Sequence, residues 1–295
     1  MQTKIRPIDP ARPDFAGCVT GIDISSGVSA ETAATIESAM DHYAVLVFPD
    51  QVIDDEQQYL FSTHFGPMET ATGDLIAKDD RRLSMKINDI SNLDKNGNVL
   101  PRNDRSRLFG LANMLWHSDS SFKPTPAKFS LLSGRVVPDA GGNTEFADMR
   151  AAWDALEPET QQQCMPLLCE HSQIFSRGKL GFVDFTEEER EKWKPVLQRL
   201  VRRHPRTDRL SLFLSSHIGT IQGWPIPEAR MFLLDLLEHA TQPRFVYAHQ
   251  WQQWDLVMWD NRVLTHRARR YDYNKPRDLH RTTVSDSAPT LEQPL

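Results

Sequence analysis

The feature that most constrains this chain is a set of short apolar runs that end in turn residues and do not alternate regularly with helices. Ala44 to Phe48 (AVLVF) stops at Pro49-Asp50, residues 129–137 read FSLLSGRVV, and Thr144-Glu145-Phe146 follows the Gly141-Gly142 turn. Residues 210–214, 245–251, 256–259 and 281–284 also read as strands. Apolar runs of roughly four to eight residues, rich in β-branched and aromatic side chains and bounded by Gly, Pro or Asp, signal strands. Helical spacing lies around them. Ser29 caps a helix to Tyr43 that carries Ala33, Ile36 and Met40 on one face, and Asp54 to His64 is a second helix closed by Gly66-Pro67. Residues 148–156 and 159–168 also read as helices, and residues 187–201 as a charged surface helix or coil. Pro227 to Ala240, with proline in its first turn, is the clearest helix. A doubly wound parallel sheet needs strand and helix in regular alternation, which is missing. The pattern predicts a mainly-β chain with helical insertions, an antiparallel barrel or jelly-roll core, read as one unit over 1–295. Residues 66–112 stand apart. They are polar and weakly periodic, with short strands such as Met85 to Ile90, and fit either a loop region over a binding site or a solvated excursion.

Composition limits the function. With 34 basic and 40 acidic residues the formal charge is −6, which argues against general nucleic-acid binding. No stretch approaches the ~20 apolar residues of a membrane span, and the N-terminus has no apolar run for a signal peptide. Cys18, Cys164 and Cys169 are odd in number and poorly spaced for zinc, so a reducing cytoplasm is expected. Function then has to come from a site within a soluble globule.

Trp116-His117-Ser118-Asp119-Ser120 supplies the first chemistry. In an extended segment His117 and Asp119 point to one face, where an imidazole and a carboxylate can share a divalent metal. A second histidine completes the 2-His-1-carboxylate facial triad of non-haem iron(II) oxygenases, which leaves the other positions open. Alone, the pair is a weak signal, and an ordinary histidine–aspartate hydrogen bond is the commoner reading. Of the remaining histidines, His42, His64 and His239 fall in or beside helices, and His204, His249 and His280 in polar surroundings. His266 follows the apolar strand LVMW and a polar turn, and is the best third ligand. Downstream, Arg277 and Arg281 would project to the same side of an extended segment and hold two anions through guanidinium forks. By count, Arg267, Arg269, Arg270, Lys275 and Arg277 also read as a basic surface cluster. Phe65, Leu111, Phe122 and Trp259 are read as core aromatics and aliphatics.

Several long motifs in order resemble the 2,4-dichlorophenoxyacetate/2-oxoglutarate dioxygenase group of the taurine dioxygenase-like family. They are VLVFPDQ (45–51), FSTHFGPME (61–69), LWHSDSSF (115–122), GGNTEFADMRAAWDAL (141–156), LLEHATQPRFVYAHQW (236–251) and LVMWDNRVLTHRARRYD (256–272). The resemblance implies a double-stranded β-helix with Fe(II) on His117, Asp119 and His266. It implies 2-oxoglutarate and O2 as cosubstrates, with the distal carboxylate of 2-oxoglutarate on Arg277 and Thr144. Arg281 would sit near the substrate anion and Asn113 on the substrate side. Residues 69–112 agree less well and carry no histidine, so a taurine-like substrate is disfavoured. Lys78 and Lys95 are then the candidates for a substrate carboxylate. The implied reaction hydroxylates the carbon beside the ether oxygen of an aryloxyalkanoate, giving a phenol and glyoxylate. The alternatives are the same chemistry on another small acid, sulfonate or alkyl sulfate, and a metal-binding barrel without turnover. Assembly into a dimer or larger homo-oligomer is also implied.

Overall fold

Strands buried on both faces explain the continuous apolar runs. The computed structural model describes residues 3–71 and 81–295. Its strands are β1 (Lys4–Pro7), β2 (Gly17–Thr20), β3 (Val45–Phe48), β4 (Asn88–Asp89), β5 (Ala127–Val136), β6 (Thr144–Asp148), β7 (Leu168–His171), β8 (Val196–Arg199), β9 (Val201–Arg203), β10 (Leu210–Leu212), β11 (Ile218–Ile221), β12 (Val246–His249), β13 (Leu256–Asp260), β14 (Leu264–Ala268) and β15 (Asp278–Ser285). The helices are α1 (Ala30–Tyr43), α2 (Asp55–Thr63), α3 (Arg105–Gly110), α4 (Met149–Asp154), α5 (Pro158–Cys164), α6 (Gln173–Gly178), α7 (Glu187–Lys192) and α8 (Ile226–Ala240).

The larger sheet runs β1-β2-β3-β13-β5-β15-β4 and is antiparallel except for β2 against β3. Opposite it lies a sheet in the order β12-β6-β14. All five residues of β13 are buried. Leu256 and Met258 pack outward with Ile36 and Met40 of α1 and Phe61 of α2, while Val257 and Trp259 pack inward with Phe146 of β6 and Leu264 of β14. Each such large side chain contributes about 1.5–3 kcal/mol on burial, so a helix layer outside and a second sheet inside stabilise the same strand. This is the expected jelly roll with helical insertions.

Local signals set the covering helices. Ser29 Oγ accepts from Thr32 N–H at the start of α1, and Asp54 and Gln57 form a reciprocal capping box on α2. Two smaller sheets run β11-β7-β8 and β10-β9.

Three expectations need correction. Residues 187–201 are not one helix or coil: α7 ends at Lys192 and β8 begins at Val196. Its Gln198 is fully buried and donates to the Ser121 and Lys123 carbonyls, a polar burial that hydropathy misreads as surface. The helix expected to reach Leu168 stops at Cys164, and Leu168 opens β7. The 66–112 segment holds more than loops and strands. Asp104 caps α3, a 3-10 turn follows over Leu111–Met114, and the expected strand at 85–90 shrinks to the two residues of β4. Cys164 and Cys169 are buried, and burial pushes both thiols up to about 12. Among the described residues no helix is long and apolar enough to cross a membrane.

Candidate metal centre

A backbone bridge brings the distant histidines together. His117 N–H donates to the His266 carbonyl at 2.9 Å, and His266 N–H donates back to the His117 carbonyl at 2.8 Å. His266 itself stands on β14, opposite Phe146 of β6, so the second sheet fixes its position. The two imidazole rings lie 4.3 Å apart between centroids. Asp119 begins the turn after His117, and Ser120 takes a positive φ of 54° to make it. His117 Nε2 is 3.9 Å from Asp119 Oδ1, and His266 Nε2 is 3.7 Å from Asp119 Oδ2. One ligand atom from each residue falls within 4.8 Å of the others, and all three residues are buried.

A polar frame holds this group. The Leu115 carbonyl only accepts, so His117 donates to it through Nδ1 at 2.7 Å, leaving Nε2 with a free lone pair. Asn261, fully buried, accepts from Asp119 N–H and from Trp259 Nε1, both at 3.1 Å, and donates to Ser130 Oγ at 3.0 Å. Ser130 Oγ in turn donates to Asp119 Oδ2 at 2.7 Å. Trp259 packs against His266 with 4.7 Å between ring centroids.

Electrostatics prepare the group for a cation. Burial pushes the Asp119 carboxyl upward, but Arg281, then the two imidazoles and the Ser130 hydrogen bond, outweigh it and hold the carboxyl at about 2. Burial drives His117 below its ordinary range against the pull of Asp119. His266 is pushed well below by burial and by His117. Two neutral imidazoles and one carboxylate suit Fe(II), and equally Mn(II), Co(II) or Zn(II).

His117 and Asp119 open onto a cavity also lined by Asn113, Phe122, Ala268, Tyr271, Arg277 and Arg281. Arg277 is buried. Its N–H donates to Asn92 Oδ1 at 2.8 Å, Nη2 donates to the Gly142 carbonyl at 3.2 Å, and Nε has no partner among the described residues. Burial lowers it to about 10. Gly142 holds φ +70°, where a Cβ would lie 3.1 Å from Pro138 Cγ and 3.4 Å from Arg277 Nε. Thr144 is buried nearby: it accepts from Trp251 Nε1 at 3.0 Å and sits in register with Ala268, a lining residue.

Other expected residues fare differently. Arg281 lines the cavity; its Nη1 donates to Asp119 Oδ1, and its buried Nε has no partner among the described residues. Asn113 lines the cavity from the 3-10 turn. Lys95 is exposed in the 94–98 turn and is not among the lining residues, and Lys78 lies outside the described residues. Phe122, read as core, lines the cavity and packs edge-on against His217 at 4.9 Å, whereas Phe65 is core as expected. Sequence reasoning missed Arg177, Gln173 and His217 on the cavity wall, and Ser130 and Asn261 behind Asp119. Only Asn261 had a visible signal, as a polar residue closing the apolar LVMWD run.

Residues 4–283 match the family model described as taurine catabolism dioxygenase TauD, TfdA family. The chain belongs to this family. It is 43% identical over 280 residues to the alpha-ketoglutarate-dependent 2,4-dichlorophenoxyacetate dioxygenase of Cupriavidus pinatubonensis, covering 95% of this chain and 98% of the relative. It is 35% identical to the (S)-phenoxypropionate/alpha-ketoglutarate-dioxygenase of Delftia acidovorans, covering 94% of each. Among solved structures, AAD-2 in complex with Mn(II) and N-oxalylglycine superposes with a TM-score of 0.93 at 53% identity, covering 98% of this chain and 100% of AAD-2. Membership agrees with the jelly roll and with the buried triad at its mouth.

Proposed function

We propose that this protein is an Fe(II)- and 2-oxoglutarate-dependent dioxygenase that hydroxylates the carbon beside the ether oxygen of an aryloxyalkanoate. The observation that carries the reading is the buried His117, Asp119 and His266 group, with ligand atoms within 4.8 Å of one another at the edge of an arginine-lined cavity. The relatives that act on 2,4-dichlorophenoxyacetate and phenoxypropionate support the substrate class. We read the whole chain as one catalytic unit, working in the cytoplasm on a small carboxylate. Assembly of two or more copies is part of the same reading, supported by Met231 and Leu234 standing exposed on α8.

In this reading His117, Asp119 and His266 hold the ferrous ion. Bound there, the ion supplies the redox chemistry by which 2-oxoglutarate and O2 become succinate, carbon dioxide and one oxygen atom for the substrate. The protein's own groups position the reactants. Arg277 takes the distal carboxylate of 2-oxoglutarate, with the Thr144 hydroxyl as its second contact. Arg281 and Ser130 keep Asp119 ionised and fixed in orientation. Phe122 and Met114 give the aryl ring an apolar wall and exclude water, and Asn113 adds a polar contact on the substrate side. The hydroxylated carbon is a hemiacetal, which collapses to a phenol and, from a phenoxyacetate, glyoxylate.

The test is a coupled assay on iron-loaded protein that follows succinate and phenol across a panel of aryloxyacetates. Substrate-dependent release of both is expected. Turnover confined to sulfonates or alkyl sulfates would keep the chemistry and overturn the substrate. No 2-oxoglutarate consumption with any acid would overturn both.

A further inference from the structure

Turnover of an aryloxyalkanoate brings two carboxylate-bearing molecules into one cavity, and each carboxylate needs a cation. Four arginines line that cavity: Arg107, Arg177, Arg277 and Arg281. Arg281 already has a counter-charge, since its Nη1 donates to Asp119 Oδ1, although its buried Nε has no partner among the described residues. Arg277, beside Gly142 and Tyr271, suits the cosubstrate. Arg107 is only half-buried, donates to the Leu100 carbonyl at 2.7 Å and lies over Tyr273, where water can solvate it. Arg177 has no such relief. It is 6% exposed, and its guanidinium lies 4.2 Å over the Phe109 ring. Its side chain makes one hydrogen bond, from Nη1 to Ser176 Oγ at 2.9 Å, and its buried Nε has no partner among the described residues. No carboxylate among them pairs with it. A buried cation without a counter-charge costs several kcal/mol, which a sequence has no reason to carry unless a ligand supplies the anion.

We infer that Arg177 is the anchor for the substrate's carboxylate, an assignment that rests on the aryloxyalkanoate reading above. Its neighbours fit the rest of such a molecule. Phe109, Met114 and Phe122 line the same cavity and offer apolar surface to the aryl group. His217, whose ring is 6.0 Å from that of His117, links Arg177's side of the cavity to the triad. The unpartnered Nε together with a terminal nitrogen presents the fork that a carboxylate matches in bidentate fashion. Lys95 does not line the cavity, and Lys78 lies outside the described residues.

The experiment compares the parent with Arg177→Gln and Arg177→Lys, each as the metal-loaded protein with 2-oxoglutarate. A phenoxyacetate and its carboxamide serve as paired probes, and both KM and anaerobic equilibrium binding are read. In the parent, exchanging carboxylate for carboxamide is expected to weaken binding by about 30-fold or more. In Arg177→Gln the acid is weakened by a comparable factor, and the acid–amide difference collapses to within about threefold. Arg177→Lys, which keeps the charge and loses the fork, falls between. The KM for 2-oxoglutarate and the bound Mn(II) stoichiometry report that each variant is folded. If the parent distinguishes acid from amide and Arg177→Gln distinguishes them equally well, the anchor is overturned while the substrate class stands. If the parent neither binds nor turns over any aryloxyacetate, the substrate class falls, and the anchor with it.

Discussion

Replacing Asn261 by alanine tests whether the frame behind Asp119 governs both stability and metal affinity. Asn261 is completely buried and makes three side-chain hydrogen bonds, accepting from Asp119 N–H and Trp259 Nε1 and donating to Ser130 Oγ. Alanine leaves two buried N–H donors without an acceptor. Each orphaned donor costs about 1–3 kcal/mol, so the expected loss is about 2–6 kcal/mol. Against a usual total of about 5–15 kcal/mol this is large enough to read in a urea melt. The same change frees the Asp119 main chain and the Ser130 hydroxyl that orients its carboxylate, so Mn(II) affinity should fall roughly 10- to 100-fold. The assay is urea denaturation of the apoprotein at neutral pH, followed by anaerobic calorimetric titration with Mn(II). Asn261→Ala lying within about 1 kcal/mol of the parent, with Mn(II) affinity within about threefold, would refute the reasoning.

Two further predictions concern pH. Asp119's folded pKa is held at about 2, below its ordinary 3.8, so its ionised form stabilises the fold above that ordinary value and the contribution is lost as pH falls through about 2. Arg281→Gln removes the strongest opposing charge. The Asp119 pKa should then rise and the acid limit of Mn(II) binding should move to higher pH, whereas superimposable binding profiles would contradict this role. His280 behaves in the opposite sense. Burial lowers its pKa, yet hydrogen bonds and charge from Asp278 and Asp55 win and raise it above 6.5. Its contribution to stability is full below 6.5 and disappears as pH rises through the raised value. His280→Gln should flatten the dependence of unfolding free energy on pH in that window, and an unchanged slope would count against the pairing.

The sequence by itself determined the elements whose signals are local. Runs such as LVMWD are continuous because β13 is covered on both faces, and α1 and α8 declare themselves through a cap or a first-turn proline and through their periodicity. His117 and Asp119 are two residues apart, so their pairing was legible too. The motifs then carried the match to the family. Only the tertiary structure decided the partners that meet across the chain. His266 reaches His117 because β14 forms a bridge to it, and Arg281 reaches Asp119 over 162 residues through its place on β15. Arg281, expected near the substrate, lines the cavity and also donates to Asp119, a contact the sequence did not announce. Arg177 was invisible because α6 has only six residues, too few to show a face, and because a buried cation has the same letter as an exposed one. Apolar burial leaves a periodic imprint along a chain. A buried polar group is fixed by whichever distant donor or counter-charge the fold brings to it, and no spacing within the sequence records that.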